Sequence, residues 1–460
     1  MERVLRFFEK YIIPKSLYRL CQPVYHFLLA FLAALIYGFP SHLRRPACRQ
    51  GRGFGGQAQK MIVIGVTGTK GKTTTCNLIA QILNYAGLKT GMATTVNFRI
   101  GKKEWPNETK QTMLGRFQLQ KLIAQMAKEK CKYAVIETSS EGILQYRHRF
   151  IDYDVAVFTN LTPEHIERHG SFENYRDAKL KLFKQVVKKP NGIGVYNLDD
   201  ENAGYFLEPK VTRQYVYALK LRNPRLNVQN LNVISKIKST AKGTTFLFNK
   251  EKFTMPLIGE FNVQNAAAAI SAVRALNVPM GTIRKALIKV QPPPGRLEII
   301  DKGQKFTVII DYAHEPASLE AVYKTIIDSN LKTKSSKLIC LLGAQGGGRD
   351  KWKRPKMGKI AARYCDKIIL TNEDPYDENP AIILDDIEAG FSQISNFKFL
   401  ISKNYWKILD RKKAIKKALS LAKKGDVVIL TGKGGEKWMC VENNKKIPWG
   451  ETEIVKSLIS

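Results

Sequence analysis

Lys72 and Thr73 close a glycine-rich turn, GVTGTKGKTTT over residues 65–75, directly behind the apolar run Met61-Ile62-Val63-Ile64. A buried strand that turns through glycines into a helix leaves backbone N–H groups free to hold a polyphosphate, and the helix N-terminus adds its dipole. Gly68, Thr69, Lys70 and Gly71 would supply the cradle. Lys72 would reach the outer phosphates, Thr73 would place its hydroxyl on Mg²⁺, and Thr74 continues the turn. Apolar residues at helical spacing, Leu78, Ile79, Ile82 and Leu83, supply the helix that such a loop needs. The strict spacing G-x-x-x-x-G-K-[ST] is missed by one position, because Val66 stands where its first glycine belongs and Gly65 lies one residue earlier. A glycine-rich turn with a chance lysine explains the strand and helix around it less well. ATP and Mg²⁺ are therefore the expected ligands.

Three further residues suit metal and acid chemistry. Glu137 ends an apolar run in VIETSS, His165 follows another in TNLTPEHIERHG, and Lys179 lies in ENYRDAKLKLF. Strand ends on the carboxyl side of an open parallel sheet converge on one crevice, so Glu137 and His165 can face the same phosphate. Mg²⁺ takes a carboxylate readily and a histidine less often, and a lone histidine is commonly a hydrogen-bonded structural residue.

The elements that must position these groups alternate. Strands are predicted at 61–67, 133–137, 154–159 and 193–197, then near 212–217 and 243–249, with a helix from Asn262 to about Ala275. Such alternation implies a parallel sheet covered on both faces. Three consecutive prolines in PPPGRLE, 292–298, mark a boundary. Beyond it, strands near 306–311, 337–343, 366–371 and 426–431 alternate with helices near 316–328, 356–364, 381–391 and 410–423. The expected organisation is a basic, apolar helical segment at 1–45, a linker at 46–60, a central α/β domain at 61–295 and a second α/β domain at 296–460.

Composition narrows the partners. The 460 residues carry a formal net charge of +35, from 75 Lys and Arg against 40 Asp and Glu. That field favours anionic partners, although a lysine-rich solvated surface explains it equally well. Basic patches with interleaved aromatics are missing, so no nucleic acid is expected. Seven cysteines without a C-x-x-C pair read as reduced thiols rather than disulfides or zinc ligands, which suits the cytoplasm.

Residues Leu20–Leu43 contain no Lys, Arg, Asp or Glu, and Val24–Phe39 lies between Pro23 and Pro40. Sixteen helical residues cover about 24 Å, short of the ~30 Å hydrocarbon core, so a crossing is not expected. Arg3, Arg6, Lys10, Lys15 and Arg19 precede the run, and Arg44, Arg45, Arg49 and Arg52 follow it. Two readings stay open: a helix seated peripherally in an anionic membrane interface, or one packed on the next domain.

Taken together and in order, the motifs resemble the Mur ligase family of ATP-dependent amide-forming enzymes, and within it the tripeptide synthetases. Those enzymes add an amino acid to UDP-N-acetylmuramoyl-L-Ala-D-Glu in peptidoglycan precursor synthesis. The resemblance runs from about Met61 to the C-terminus through GVTGTKGKTTT, ETSS (137–140), TNLTPEHIERHG (159–170), ENYRDAKLKLF (173–183), GEFNVQNAAAA (259–269), PGRLE (294–298), DYAHEP (311–316), GGGRDKWKRPKMG (346–358) and GKGGE (432–436). It implies a P-loop ATPase domain followed by a Rossmann-like ligase domain, working as a cytoplasmic monomer.

The resemblance also assigns roles. Lys72 and Thr73 match the phosphate and Mg²⁺ ligands, and Glu137 and His165 the residues that hold magnesium. Lys179 matches a lysine that becomes carbamylated, turning a cation into a carboxylate. Asn262 and Asn265 resemble contacts on the adenosine side, while Arg296 and Asp311 match further ATP-binding positions. His314 matches the family's DYAH histidine. Ser139, Gln145 and Arg147 stand where the muramoyl-peptide is held, and Arg349, Gly432 and Glu436 stand at the amino-acid site. The implied partners are a nucleotide-sugar peptide acceptor and a free amino acid.

Three departures bear on specificity. TKQTMLGRFQLQ (109–120) lacks the proline of the family's Thr-Thr-Pro segment, and the usual uridine-binding domain has no counterpart before Met61. The Asp-Asn-Pro-Arg motif, whose arginine grips the distal carboxylate of diaminopimelate, is replaced by Glu373-Asp374-Pro375-Tyr376. Tyrosine supplies no charge, and added carboxylates would attract an ammonium, so a lysine-like amino acid is expected over meso-diaminopimelate. Two alternatives remain at this stage: a related ligase with a polyglutamyl or lipid-linked acceptor, and a P-loop ATPase without ligase activity that binds a membrane or nucleic acid.

Overall fold

In the computed structural model the described residues are 15–42, 60–109, 111–164, 166–219, 228, 230–240, 242–329, 331–333, 335–393 and 404–459. His165 and most of the expected linker 46–60 lie outside them. The chain divides into two compact units, residues 1–233 with 265–286, and residues 234–264 with 287–460.

The first unit is built on β1 (Ile62–Thr67), β2 (Thr90–Ala93), β3 (Asn97–Ile100), β4 (Lys103–Pro106), β5 (Tyr133–Glu137), β6 (Tyr153–Phe158), β7 (Ile193–Asn197) and β8 (Arg213–Ala218). Their order across the sheet is β8-β7-β6-β1-β5-β2-β3-β4. From β8 to β2 every pairing is parallel. Near-continuous apolar sequence follows from burial on both faces: the side chains of β1 from Val63 to Thr67 are all buried. The expected parallel sheet is present, and β3 and β4 add an antiparallel edge that the sequence left unassigned. These strands have four residues each and turn tightly at Gly101, so they offer no long periodic run.

Register places the chemistry. Val66 pairs with Glu137 and Thr67 with Phe158, so the loop after β1, the end of β5 and Thr159–Asn160 after β6 share one sheet edge.

A helix at Lys15–Ile36 starts earlier than expected and runs through Pro23. It ends at Gly38 and Phe39, both at positive φ, with the Phe39 N–H donating to the Ala34 carbonyl at 2.7 Å. It packs against the helix Arg116–Lys128. His26 bonds Arg116, and the rings of Phe27, Phe31 and Phe39 meet Phe150 edge-on. Among the described residues no helix is long and apolar enough to cross a membrane.

β9 (Leu231–Thr240) pairs parallel with β8 through its first three residues, then antiparallel with β10 (Gly243–Phe248), which pairs with β11 (Glu251–Met255). The second unit's main sheet comprises β12 (Glu298–Ile300), β13 (Thr307–Asp311), β14 (Leu338–Leu342), β15 (Lys367–Leu370), β16 (Tyr405–Lys407) and β17 (Val427–Thr431), in the order β12-β13-β17-β14-β15-β16. All but β12 run parallel. Alternate residues feed two cores: Leu338, Cys340 and Leu342 enter one, Ile339 and Leu341 the other. A hairpin of β18 (Trp438–Val441) and β19 (Lys445–Pro448) completes the unit.

The cysteine expectation needs one correction. Cys340 and Cys365 form a disulfide, with their Cα atoms 6.0 Å apart. Tertiary packing joins β14 to the end of the helix Lys353–Tyr364, a pairing across 25 residues that no local spacing announces. Cys21 and Cys76 carry free thiols.

Candidate active site

The turn after β1 is a tight loop fixed from below. Gly68 adopts φ 147° and Gly71 φ 79°, the left-handed region where a side chain is strained. A Cβ at Gly68 would stand 2.0 Å from Thr159 Oγ1, and one at Gly71 2.1 Å from Asn265 Oδ1. Asn160 accepts from the Thr69 N–H through its carbonyl at 2.8 Å and from the Lys70 N–H through Oδ1 at 2.9 Å. Thr159 Oγ1 donates to the Lys70 carbonyl at 2.7 Å. Gly71 caps the helix Lys72–Tyr85, so Lys72, Thr73 and Thr74 occupy its first turn. The Lys72 amine donates to the carbonyls of Gly68 at 3.0 Å and Thr69 at 2.8 Å.

Glu137 is buried at the end of β5. Thr73 Oγ1 lies 3.1 and 3.0 Å from its two carboxylate oxygens, and the Thr95 N–H donates to one of them at 2.8 Å. Hard oxygen donors of this kind suit Mg²⁺. Lys179, fully buried on the helix Phe172–Val186, donates to the Gly68 carbonyl at 2.8 Å and lies 4.4 Å from the centre of the Tyr175 ring. Burial, and after it the charge of Lys72, drives its pKa well below the ordinary lysine value. Tyr175 also reaches Thr69, oxygen to oxygen at 3.0 Å. Thr73 and Glu137 thus meet directly, Lys179 meets the loop, and Asn265 faces Gly71.

The acceptor candidates are nearby in sequence but differently engaged. Ser139 caps the helix Ser140–Leu144 by accepting from the Gly142 N–H at 3.1 Å. Arg147 donates to Gln145 Oε1 at 2.6 and 3.0 Å, to Gln111 Oε1 at 3.0 Å and to the Met113 carbonyl. It therefore ties Gln145 to the segment that departs from the family pattern.

In the second unit, Asn262 Nδ2 donates to the Ile258 carbonyl at 2.9 Å. With Arg296, Leu257, Pro292 and Glu298 it lines a cavity of about 340 Å³. Arg296 lies 4.5 Å from the centre of the Tyr312 ring. Asp311 accepts from the Leu297 N–H at 2.7 Å and the Ala313 N–H at 2.8 Å; burial raises its carboxyl pKa, against the pull of Arg296. His314 Nδ1 sits 2.8 Å from the Tyr312 carbonyl oxygen.

The amino-acid candidates gather around a lysine that the sequence reading passed over. Lys433, fully buried in GKGGE, donates to Asp374 at 2.9 Å, to Glu436 at 2.5 Å and to the Trp438 carbonyl at 2.8 Å. Asp374 also accepts from the Cys440 N–H at 2.7 Å, and Tyr312 OH donates to Glu436 at 3.2 Å. Of the two carboxylates expected to attract an ammonium, Asp374 is therefore already committed. Glu373 is fully buried, and neither of its oxygens has a hydrogen-bond partner among the described residues. Burial first, then Asp374, pushes its pKa up to about 7. Gly432 opposes it at φ 103°. Tyr376, at φ 51°, holds its ring 5.7 Å from the Arg349 guanidinium, and burial pushes its phenol up to about 12. Arg349 Nε donates to Gln345 at 2.9 Å. Beyond Lys433, the sequence reading assigned no role to Thr159, Asn160 or Tyr175, although all three lie in motifs it singled out.

A phosphate loop at a parallel sheet edge, joined in one chain to a second α/β unit with a buried acid–lysine–acid cluster, defines an ATP-using α/β protein of two units. Residues 66–273 match the Mur ligase middle domain, and residues 295–434 match the Mur ligase glutamate ligase domain. The chain belongs to the Mur ligase family and is an ATP-dependent acid–amino-acid ligase. It is 36% identical over 419 residues to a UDP-N-acetylmuramoyl-L-alanyl-D-glutamate–2,6-diaminopimelate ligase of Syntrophomonas wolfei, covering 90% of this chain and 78% of that one. To a UDP-N-acetylmuramyl-tripeptide synthetase of Treponema denticola it is 37% identical over 411 residues, covering 86% and 76%. A solved structure of a UDP-N-acetylmuramoyl-L-alanyl-D-glutamate–2,6-diaminopimelate ligase matches at TM-score 0.59 and 30% identity, over 87% of this chain and 78% of that one.

Proposed function

We propose that this ligase joins an amino acid to a UDP-N-acetylmuramoyl-dipeptide-like acceptor in the cytoplasm, as a step of peptidoglycan precursor synthesis. The observation that carries the reading is the contact between Thr73 and Glu137 beneath a loop that Lys72 and Lys179 both reach. In this reading the acceptor carboxylate attacks the γ-phosphate of ATP, giving ADP and an acyl phosphate. The amino group then attacks the acyl carbon and phosphate leaves. Lys72 and the loop amides hold negative charge on the transferring phosphoryl group. Thr73, Glu137 and a carbamylated Lys179 would hold magnesium. When bound, that ion would neutralise phosphate charge. Asn262, Asn265, Arg296 and Asp311 serve the nucleoside side, and Ser139, Gln145 and Arg147 the acceptor.

For the incoming amino acid we propose a lysine-like diamine. The neutral phenol of Tyr376 stands where a guanidinium would grip a distal carboxylate, and neither oxygen of the Glu373 carboxyl has a hydrogen-bond partner among the described residues. Arg349 and Glu436 would take the α-carboxylate and α-amino ends. Phosphate release from purified protein, measured over a matrix of acceptors and amino acids, tests both parts. Release that needs neither an acceptor nor an amino acid would end the ligase assignment to this acceptor class.

A further inference from the structure

The helix Lys15–Ile36 is amphipathic in reverse. Its small residues Ala30, Ala33 and Ala34 are buried at 2%, 0% and 0% exposure, while Val24, Leu28, Leu35 and Ile36 are 60%, 57%, 55% and 59% exposed. Phe31 and Leu32 continue the outward stripe at 42% and 44%. Positions 24, 28, 31, 32 and 35 recur at the spacing of a single helical face, so the large side chains form one continuous apolar strip about 17 Å long. Water penalises that arrangement, because the residues with most to gain from burial are the ones turned outward.

We propose that this face docks on an anionic lipid bilayer, with the helix lying in the headgroup layer. Two observations select that occupant. From Lys10 to Arg52 the chain carries seven Lys and Arg residues and no Asp or Glu, so both flanks of the strip are cationic in sequence. An apolar strip between basic flanks provides the two signals that stable interfacial binding requires. A second copy of the chain is disfavoured by the same charges, since pairing the strips would bring like-charged flanks together. The exposed Tyr25 adds an aromatic group suited to the interface. The helix is anchored on the first unit through Phe150 and Arg116, so docking holds that unit at the surface.

The test is sedimentation of the full chain with vesicles of phosphatidylcholine, with and without phosphatidylserine. The protein should pellet with the anionic vesicles at low salt and be released as salt rises. Pure phosphatidylcholine should bind roughly tenfold or more weakly. Leu28→Ser with Leu32→Ser should reduce binding to anionic vesicles by roughly tenfold or more, with the melting temperature unchanged because both side chains face outward. Arg44→Glu with Arg45→Glu should weaken it while leaving the strip intact. No pelleting with anionic vesicles at low salt overturns the proposal, whether the protein is then a monomer or a dimer that the serine variant dissolves. Equal binding to both vesicle types overturns it too, because charge would then play no part.

Discussion

The Lys179 amine donates to the carbonyl of Gly68 at 2.8 Å, tying the helix Phe172–Val186 to the mouth of the phosphate loop. A buried amine with a depressed pKa favours its neutral form, which is the form that adds to CO₂. Addition would replace a cation beside Lys72 with an anion able to accept a metal. Lys179→Ala should reduce ligation on the order of a hundredfold. Protein equilibrated with ¹³C-bicarbonate should show a carbamate carbon resonance that the variant lacks, and stripping CO₂ should slow the native enzyme reversibly. A native enzyme indifferent to CO₂, without that resonance, would remove carbamylation.

Lys72→Ala should lower acceptor- and amino-acid-dependent ADP formation on the order of a thousandfold. The circular dichroism spectrum should not change, since among the described residues the lysine bonds the loop carbonyls of Gly68 and Thr69. Turnover at the parent rate would mean that the loop does not serve the transferred phosphoryl group.

Competition between L-lysine and meso-diaminopimelate should favour lysine in the native enzyme. Tyr376→Arg should narrow the gap by about tenfold, by restoring a charge partner for a distal carboxylate. Asp374 is better left intact, because removing its charge would leave buried Lys433 short of one counter-ion. A clear native preference for meso-diaminopimelate would refute this specificity.

Glu373 predicts a pH effect on stability. Its carboxyl titrates at about 7 when folded against an ordinary 4.5, so the folded state holds the proton more tightly than the unfolded one. The stabilisation is therefore fully present below pH 4.5 and is lost as pH rises through 7. Glu373→Gln, which cannot ionise, should gain in melting temperature relative to the parent between about pH 5 and about pH 8. A constant difference across that range would show that this carboxyl does not titrate there.

Much of the frame was legible because buried parallel strands leave continuous apolar runs: β1, β5 and β7 fall within one residue of their expected limits. The edge strands β3 and β4 were not, being short and only partly apolar. Local motifs pointed to Thr73 and Glu137, while parallel register, which no motif states, sets them 3.0 Å apart. Lys433 escaped notice for a similar reason. A lysine between glycines reads as solvated, and only the fold shows two carboxylates closing on it. The disulfide was missed because its cysteines meet through packing of a helix on a strand.

Gly432 and Glu373 form a coupled pair of positions. A Cβ at 432 would stand 2.2 Å from Glu373 Oε2, and the backbone there has φ 103°. Glutamate is one methylene longer than the aspartate of the related motif, and that extra length carries its carboxyl into the space above the glycine. Shortening residue 373 would relieve the collision but not the backbone strain, so position 432 stays closed to other residues either way. The dependence runs in one direction: residue 432 must be glycine whatever acid stands at 373, whereas the long acid at 373 fits only because 432 has no side chain.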